Sequence, residues 1–210
     1  MDKLNVQYGC GLSAPENWVN FDSSPTLRLQ RSIIGPLIQN RLNVKFPGNV
    51  KYGDIVKGLP VSENSCDCVY CSHVLEHLSL EDFRLALQNT FDILKPGGLF
   101  RLVMPDLEYL INDYNIMKNE GNPAASIVFL EKSILGKQFR RKGFKGFLTS
   151  FLGNSNHLWL WDYASVKLEL ESVGFSNIRK CEFNDSDEEA FLELEDKGRF
   201  ENALAVESKK

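Results

Sequence analysis

Apolar positions along the chain recur with two different periods, and the switch between them marks the elements. Cys66 to Cys71 (CDCVYC) is a short apolar run, too short for a helix and rich in strand-favouring residues. From Ser79 onward, Leu80, Phe83, Leu87, Phe91 and Leu94 recur at spacings of three and four, which predicts a helix with one apolar face. Ser79 is placed to cap it, and Glu81 and Asp82 fall in the first turn, where the helix dipole favours negative charge. Lys95-Pro96-Gly97-Gly98 predicts its end, because proline cannot continue a helix and glycine supplies a left-handed exit. Leu99 to Met104 then reads as a second buried strand that stops at Pro105-Asp106. A strand, a helix and a strand in this order predict a right-handed parallel crossover. Ligands of such sheets bind beyond the carboxyl ends of the strands, so Ser72, His73 and Asp106 are expected to face one crevice.

The same reading carries through the rest of the chain. Leu4 to Tyr8 predicts a first strand that runs into Gly9-Cys10-Gly11, and Trp18 to Phe21 a second that ends at Asp22. Leu27 to Leu42 predicts a helix with Leu29, Ile33 and Leu37 on one side, interrupted at Gly35-Pro36. Asn49 to Tyr52 is a third short strand, followed by Gly53-Asp54-Ile55. After Asp106, Leu107, Leu110, Ile111 and Tyr114 mark a helix that breaks near Gly121-Asn122-Pro123, and Ala124 to Leu135 marks another. Asn154 to Trp161 reads as a loop, and Tyr163 to Ser172 as an amphipathic helix ending at Gly174. Ser176 to Phe183 and Ala203 to Lys209 read as two final strands, with an acidic, solvated helix and loop over Asp185 to Asp196 between them.

Composition narrows the function classes. A chain of 210 residues predicts a single domain over residues 1–210, with residues 120–160 as a substrate-side insertion or lid. A net charge of −4 argues against a general nucleic-acid binder, and no apolar run reaches the length of about 18 residues that a membrane span needs. No signal peptide is visible, and five cysteines, an odd count, read as reduced thiols in a cytoplasmic protein. Cys68 and Cys71 have C-x-x-C spacing, but no second pair completes a metal set and both fall inside a buried strand. They read as small buried hydrophobes rather than as zinc or redox ligands.

Two glycines at a strand exit let a ligand approach main-chain N–H groups. A carboxylate at the end of strand two, Asp22, is the residue type that accepts two hydrogen bonds from a ribose diol. The alternative is that it caps the next helix. These residues resemble a known family, the class I S-adenosylmethionine-dependent methyltransferases: NVQYGCG, Asp22, GDIVKGLPVSENSCDCVYCSHVLEHL, LKPGGLFRLVMPD and the late GFSNI match it in order and spacing. The nearest likeness is to the compact branch often found among surface-polysaccharide biosynthesis genes. The resemblance implies an α/β, Rossmann-like fold, a seven-stranded, mostly parallel sheet in order 3-2-1-4-5-7-6 with helices on both faces.

It also implies S-adenosylmethionine as cofactor. Gly9, Cys10 and Gly11 would pass under its methionine part, and Asp22 and Ser23 would lie at the ribose and adenine. Asp54 and Ile55 would meet the adenine ring, and Ser72 and His73 would lie beneath the sulfonium. His73 and His157 are the candidate catalytic bases, because a hydroxyl or amine acceptor must lose a proton and imidazole titrates near neutral pH. Asp106 and Tyr109 are candidates for the acceptor side. His77 is expected to pack or cap, and no metal site is expected. The acceptor implied is a small molecule or a surface glycan.

The cluster Arg140, Arg141, Lys142 and Lys145 is either a solvated surface or a contact for an anionic acceptor. Only Leu12 to Asn17 separates Gly11 from Trp18, which is too short for the helix that normally follows the glycine turn. That helix would hold the cofactor carboxylate, and its loss keeps a non-catalytic Rossmann-like binding domain as the alternative. His73-Val74-Leu75-Glu76-His77 also matches H-x-x-E-H, an inverted zinc-protease signature that requires both histidines on one helix face.

Overall fold

Seven strands form one sheet in the order β3-β2-β1-β4-β5-β7-β6. They are β1 (Asn5–Tyr8), β2 (Val19–Asp22), β3 (Val50–Tyr52), β4 (Cys66–Ser72), β5 (Leu94–Pro105), β6 (Ser176–Cys181) and β7 (Ala203–Lys209). β1 to β5 run parallel, and β7 lies antiparallel between β5 and β6. The computed structural model describes residues 3–33, 35, 44–137 and 156–210. The order and directions are those expected from the sequence.

Strand alternation assigns the two faces. Val69 and Cys71 of β4, with Phe100 and Leu102 of β5, face a core built with Phe83 and Leu87 of α2 (Leu80–Ile93) and Val166 and Leu170 of α5 (Tyr163–Val173). Cys68 and Tyr70 face the other way, with Val103, toward Trp18, Phe191 and Leu194. An odd spacing on a strand therefore sends the Cys68 and Cys71 thiols to opposite faces, so they cannot share a ligand. Burial pushes the Cys68 thiol up to about 12 and the Cys71 thiol well above its usual range, as suits inert core residues.

α2 forms as its sequence requires. The Ser79 hydroxyl accepts from the Asp82 N–H at 3.1 Å, and Phe83, Ala86, Leu87, Thr90 and Ile93 bury one face. Its end differs from expectation: Leu94 caps it in extended conformation and already pairs with Cys66, so β5 begins ahead of Lys95-Pro96-Gly97-Gly98 rather than after it.

Two other expectations need partial correction. α1 covers Pro25–Gln30, with Ser24 as its cap, so the chain leaves it before the expected break at Gly35-Pro36, and residues 34 and 36–43 lie outside the described residues. Its buried residue is Leu27, whereas Leu29 and Ile33 are exposed, and Leu37 lies outside the described residues. The acidic segment between β6 and β7 is only partly the solvated helix and loop expected: its acids Asp185, Asp187, Glu189, Glu193 and Asp196 are exposed, but part of it is packed down. A turn over Glu189–Glu193 and α6 (Lys197–Phe200) press Phe191 and Leu194 onto the sheet, and Phe191 packs 6.0 Å from Trp18 and 6.2 Å from Tyr70.

The cause lies in β5. Arg101 points into this face and is fully buried, held by Glu195, by Glu207 Oε2 at 3.1 Å, by Asp185 Oδ1 at 2.9 Å and by the Glu182 carbonyl at 2.8 Å. A buried guanidinium needs such partners, and the segment's acids supply them. The chain between Gly11 and Val19 forms turns and no helix, so the 189–200 segment covers sheet surface that a crossover helix after β1 would otherwise cover.

Candidate functional site

Because β1 to β5 are parallel, their carboxyl ends share one edge: Gly9 after β1, Asp22 at the end of β2, Asp54 after β3, Ser72 and His73 at the end of β4, and Asp106 after β5. Gly9 (φ 65°) turns sharply there, and a Cβ on it would stand 2.1 Å from Val74 Cγ2. Gly11 (φ 56°) would meet nothing within 4 Å. The glycine turn is tied down by Asp22, whose Oδ2 accepts from the Gly11 N–H at 3.0 Å while Oδ1 accepts from the Ser24 N–H at 2.8 Å. Asp22 therefore caps no helix, that role being Ser24's, and each carboxylate oxygen keeps a further lone pair.

A first cavity of about 240 Å³ opens under this turn. Gly9, Cys10, Tyr70 and Ser72 line it from the sheet, and Asp196 and Arg199 from the segment folded over it. Arg199 Nη1 donates to the Ser72 carbonyl at 3.1 Å. The Ser72 and Tyr70 hydroxyls are buried, and neither makes a well-formed hydrogen bond to a protein group. Burial, with Asp22 nearby, pushes the Cys10 thiol up to about 12, so it lines this cavity as an apolar group. Gly11, Asp22, Ser23, Asp54 and Ile55 stand on the same sheet edge but are not walls of this cavity. Asp54 caps the turn over Ile55–Lys57 and pairs with Lys57 at 2.9 Å, Ile55 is buried, and Ser23 is exposed.

A second cavity of about 500 Å³ begins on the far side of Ser72–His73. His73, Glu76, His77, Tyr109, Lys132 and His157 line it. His73 sits in the left-handed region at φ 54°, uncommon for a residue with a Cβ. Its Nε2 donates to the Arg199 carbonyl at 2.9 Å, and its Nδ1 lies 3.4 Å from Glu76 Oε1. Burial lowers the His73 pKa, but the Glu76 carboxylate and the Arg199 carbonyl outweigh it and hold the imidazole above its ordinary value.

His157 is brought in by its loop: the Leu158 N–H donates to the Glu76 carbonyl at 2.8 Å, and the Leu107 N–H donates to the Trp161 carbonyl at 2.9 Å. His157 is 6% exposed. Its Nδ1 donates at 2.8 Å to the carbonyl of Ser133, which follows α4 (Ala125–Lys132), and this leaves the lone pair of a neutral ring on Nε2. Burial is the main cause holding its pKa below the ordinary value.

Of the residues expected on the acceptor side, His73, His157 and Tyr109 line this one cavity. Asp106 differs: its Oδ1 accepts from the Glu108 N–H at 2.8 Å and caps α3 (Leu107–Asn119), so it serves the helix and is not a wall of the cavity. The H-x-x-E-H reading fails on backbone geometry. Only Leu75–His77 forms a short 3₁₀ turn, and His73 precedes it in left-handed conformation, so the two histidines share no helix face. Three cavity-lining residues were not expected there: Arg199, Asp196 and Glu76, the last considered only within the H-x-x-E-H match. The signal for Glu76 was a charged residue in an apolar stretch. The signal for the other two was Arg101, whose need for buried acids folds the 185–200 segment over the sheet. The basic cluster Arg140, Arg141, Lys142 and Lys145 lies outside the described residues.

The model of a family described as a methyltransferase domain matches residues 34–102, which carry β3, β4, α2 and most of β5. No curated protein sequence matches the chain. Among solved structures, an S-adenosylmethionine-dependent methyltransferase from Mesorhizobium loti aligns with a TM-score of 0.51 at 17% identity, over 100% of this chain and 91% of that one. A methyltransferase of the same cofactor dependence from Archaeoglobus fulgidus aligns with a TM-score of 0.49 at 16% identity, over 99% and 86%. Among the described residues, no helix is long and apolar enough to cross a membrane.

Proposed function

We propose that the chain is a class I S-adenosylmethionine-dependent methyltransferase that methylates a small, hydroxyl-bearing acceptor of the sugar type, held in the cavity beside His73; the methyltransferase-domain match over residues 34–102 and the shared fold support this reading. The observation that carries this reading is the meeting of two unlike cavities at Ser72–His73, one suited to a zwitterion and the other walled by imidazoles.

The residues at the first cavity fit the cofactor. Gly11 leaves open space beside the turn, and buried, poorly partnered hydroxyls on Tyr70 and Ser72 await polar atoms. An acid and a base, Asp196 and Arg199, stand on one wall, matching the α-ammonium and α-carboxylate of a methionine group. In this chain they take over from the missing helix N-terminus. Asp22 would accept the ribose hydroxyls with the lone pairs its backbone contacts leave, and Ser23, Asp54 and Ile55 continue the same edge toward the adenine. Bound there, the cofactor supplies an electrophilic methyl group on a sulfonium.

The protein's part in such an in-line displacement is positioning and electrostatics. Tyr109 and Lys132 give the second cavity hydrogen-bonding groups for a polyhydroxylated molecule. His73, on the boundary between the cavities, and His157 are the acceptor-side groups, and the imidazole–carboxylate cluster they form with Glu76 receives the acceptor's proton. Of the 120–160 span, Lys132, Ile134 and His157 line this cavity.

His73→Ala is expected to lower kcat roughly 10²–10⁴-fold on a methyl-accepting sugar, the range for loss of a proton-handling group. Its affinity for S-adenosylhomocysteine, measured by calorimetry, should stay within about twofold. A kcat that does not move would reject the assignment of His73.

A further inference from the structure

We propose that Glu76, His77 and His157 bind one divalent transition-metal ion of the zinc class on the wall of the larger cavity. The starting point is Glu76: its side chain is 1% exposed and neither carboxylate oxygen makes a well-formed hydrogen bond. A buried carboxylate with only long contacts is costly, and such a group persists where something compensates its charge. Its nearest neighbours are imidazole nitrogens, His73 Nδ1 at 3.4 Å and His157 Nε2 at 3.9 Å.

The histidines are oriented as metal ligands are. His157 Nδ1 donates to the Ser133 carbonyl at 2.8 Å, and His77 Nδ1 donates to the Asn156 carbonyl at 3.1 Å. Ligating histidines typically carry this second contact, which fixes the tautomer and turns the other nitrogen toward the ion. One donor atom from each of Glu76, His77 and His157 lies within 4.8 Å of the others. Donors about 2.0–2.2 Å from a tetrahedral zinc ion stand about 3.4 Å apart, so binding requires the donor separations to shrink by up to about 1.4 Å. The His77 and His157 rings already meet edge to face, with centroids 4.9 Å apart.

Two imidazoles and one carboxylate form a three-ligand set, the kind that leaves further positions of the ion open. Those positions would face the cavity that Tyr109 and Lys132 also line. An acceptor oxygen bound there would be polarised and held beside His73, which then takes its proton alone because Glu76 and His157 are occupied as ligands. Only this last step rests on the methyltransferase reading. The binding of the ion does not.

The test is metal analysis of untagged protein, stripped with chelator, dialysed against Zn²⁺ or Co²⁺ and passed through gel filtration. One ion per chain is expected, together with a visible ligand-field spectrum for the Co²⁺ form and a rise in Tm on Zn²⁺ addition that chelator reverses. Glu76→Gln and His157→Ala should each weaken Zn²⁺ binding at least tenfold, while His73→Ala should retain it. Circular dichroism checks that the variants are folded, and the wild-type Tm shift keeps the test decisive if they are not. Failure of wild-type protein to hold the ion, or equal retention by the ligand variants, would overturn the proposal. Titration of the same stripped protein with S-adenosylhomocysteine separates that outcome from a failure of the cofactor reading.

Discussion

Replacing Arg101 by methionine should cost about 3–5 kcal/mol of stability, the usual penalty for removing one side of a buried ion-pair network. The substitution keeps most of the side-chain volume but deprives Glu195, whose side chain is also fully buried, of its counter-charge, along with Glu207 and Asp185. It also removes the cation that lies 5.9 Å from the Phe191 ring centroid and 5.7 Å from that of Phe200. The damage should concentrate where those acids bring the 185–200 segment onto the sheet. Denaturant unfolding measures the loss, and hydrogen exchange should show new opening near Phe191 and Leu194. A variant as stable as wild type would mean that the segment is held mainly by its apolar contacts.

The second large effect concerns the wall of the smaller cavity. Arg199→Ala is expected to weaken S-adenosylhomocysteine binding about 10- to 100-fold, the scale of a lost charge-assisted hydrogen bond of roughly 1.5–3 kcal/mol. Binding of 5′-methylthioadenosine, which lacks the amino-acid part, should change little, because Arg199 faces Gly9, Cys10 and Ser72 rather than the Asp22–Asp54 side of the edge. Arg199→Lys should recover part of the loss. Equal weakening of both ligands would instead indicate that the substitution disturbs the cavity as a whole.

Both predictions bear on the segment that the sequence described worst. β1, β4, β7 and α2 were legible because their side chains alternate or recur at helical spacing, and that pattern is what packs against the two cores. The 185–196 stretch has so many acids that it reads as solvated, and only Phe191 and Leu194 hint otherwise. The stronger clue was a charged residue at position 101 in the middle of an apolar strand, which demands partners from somewhere distant in sequence. The buried side of α1 was misassigned because Leu29 and Ile33, four residues apart, keep helical spacing with each other, yet it is Leu27 that meets the core.

For the site, the strand-end residues were legible from topology alone, since every parallel strand must finish at the same edge. Partners were not. Asp106 turned out to cap α3, and Asp22 and Asp54 engage backbone N–H groups, contacts that composition and spacing leave open. The convergence of Glu76, His77 and His157 depends on a loop returning about 80 residues later to the Glu76 carbonyl, and no local pattern encodes that contact. The absent helix after β1 was visible as a count of residues, but what replaces it was not.

The most direct test is calorimetric titration of the wild-type chain with S-adenosylhomocysteine. A saturable heat with one site per chain and micromolar affinity is the predicted result. No heat at millimolar ligand, from protein that circular dichroism shows to be folded, would contradict it.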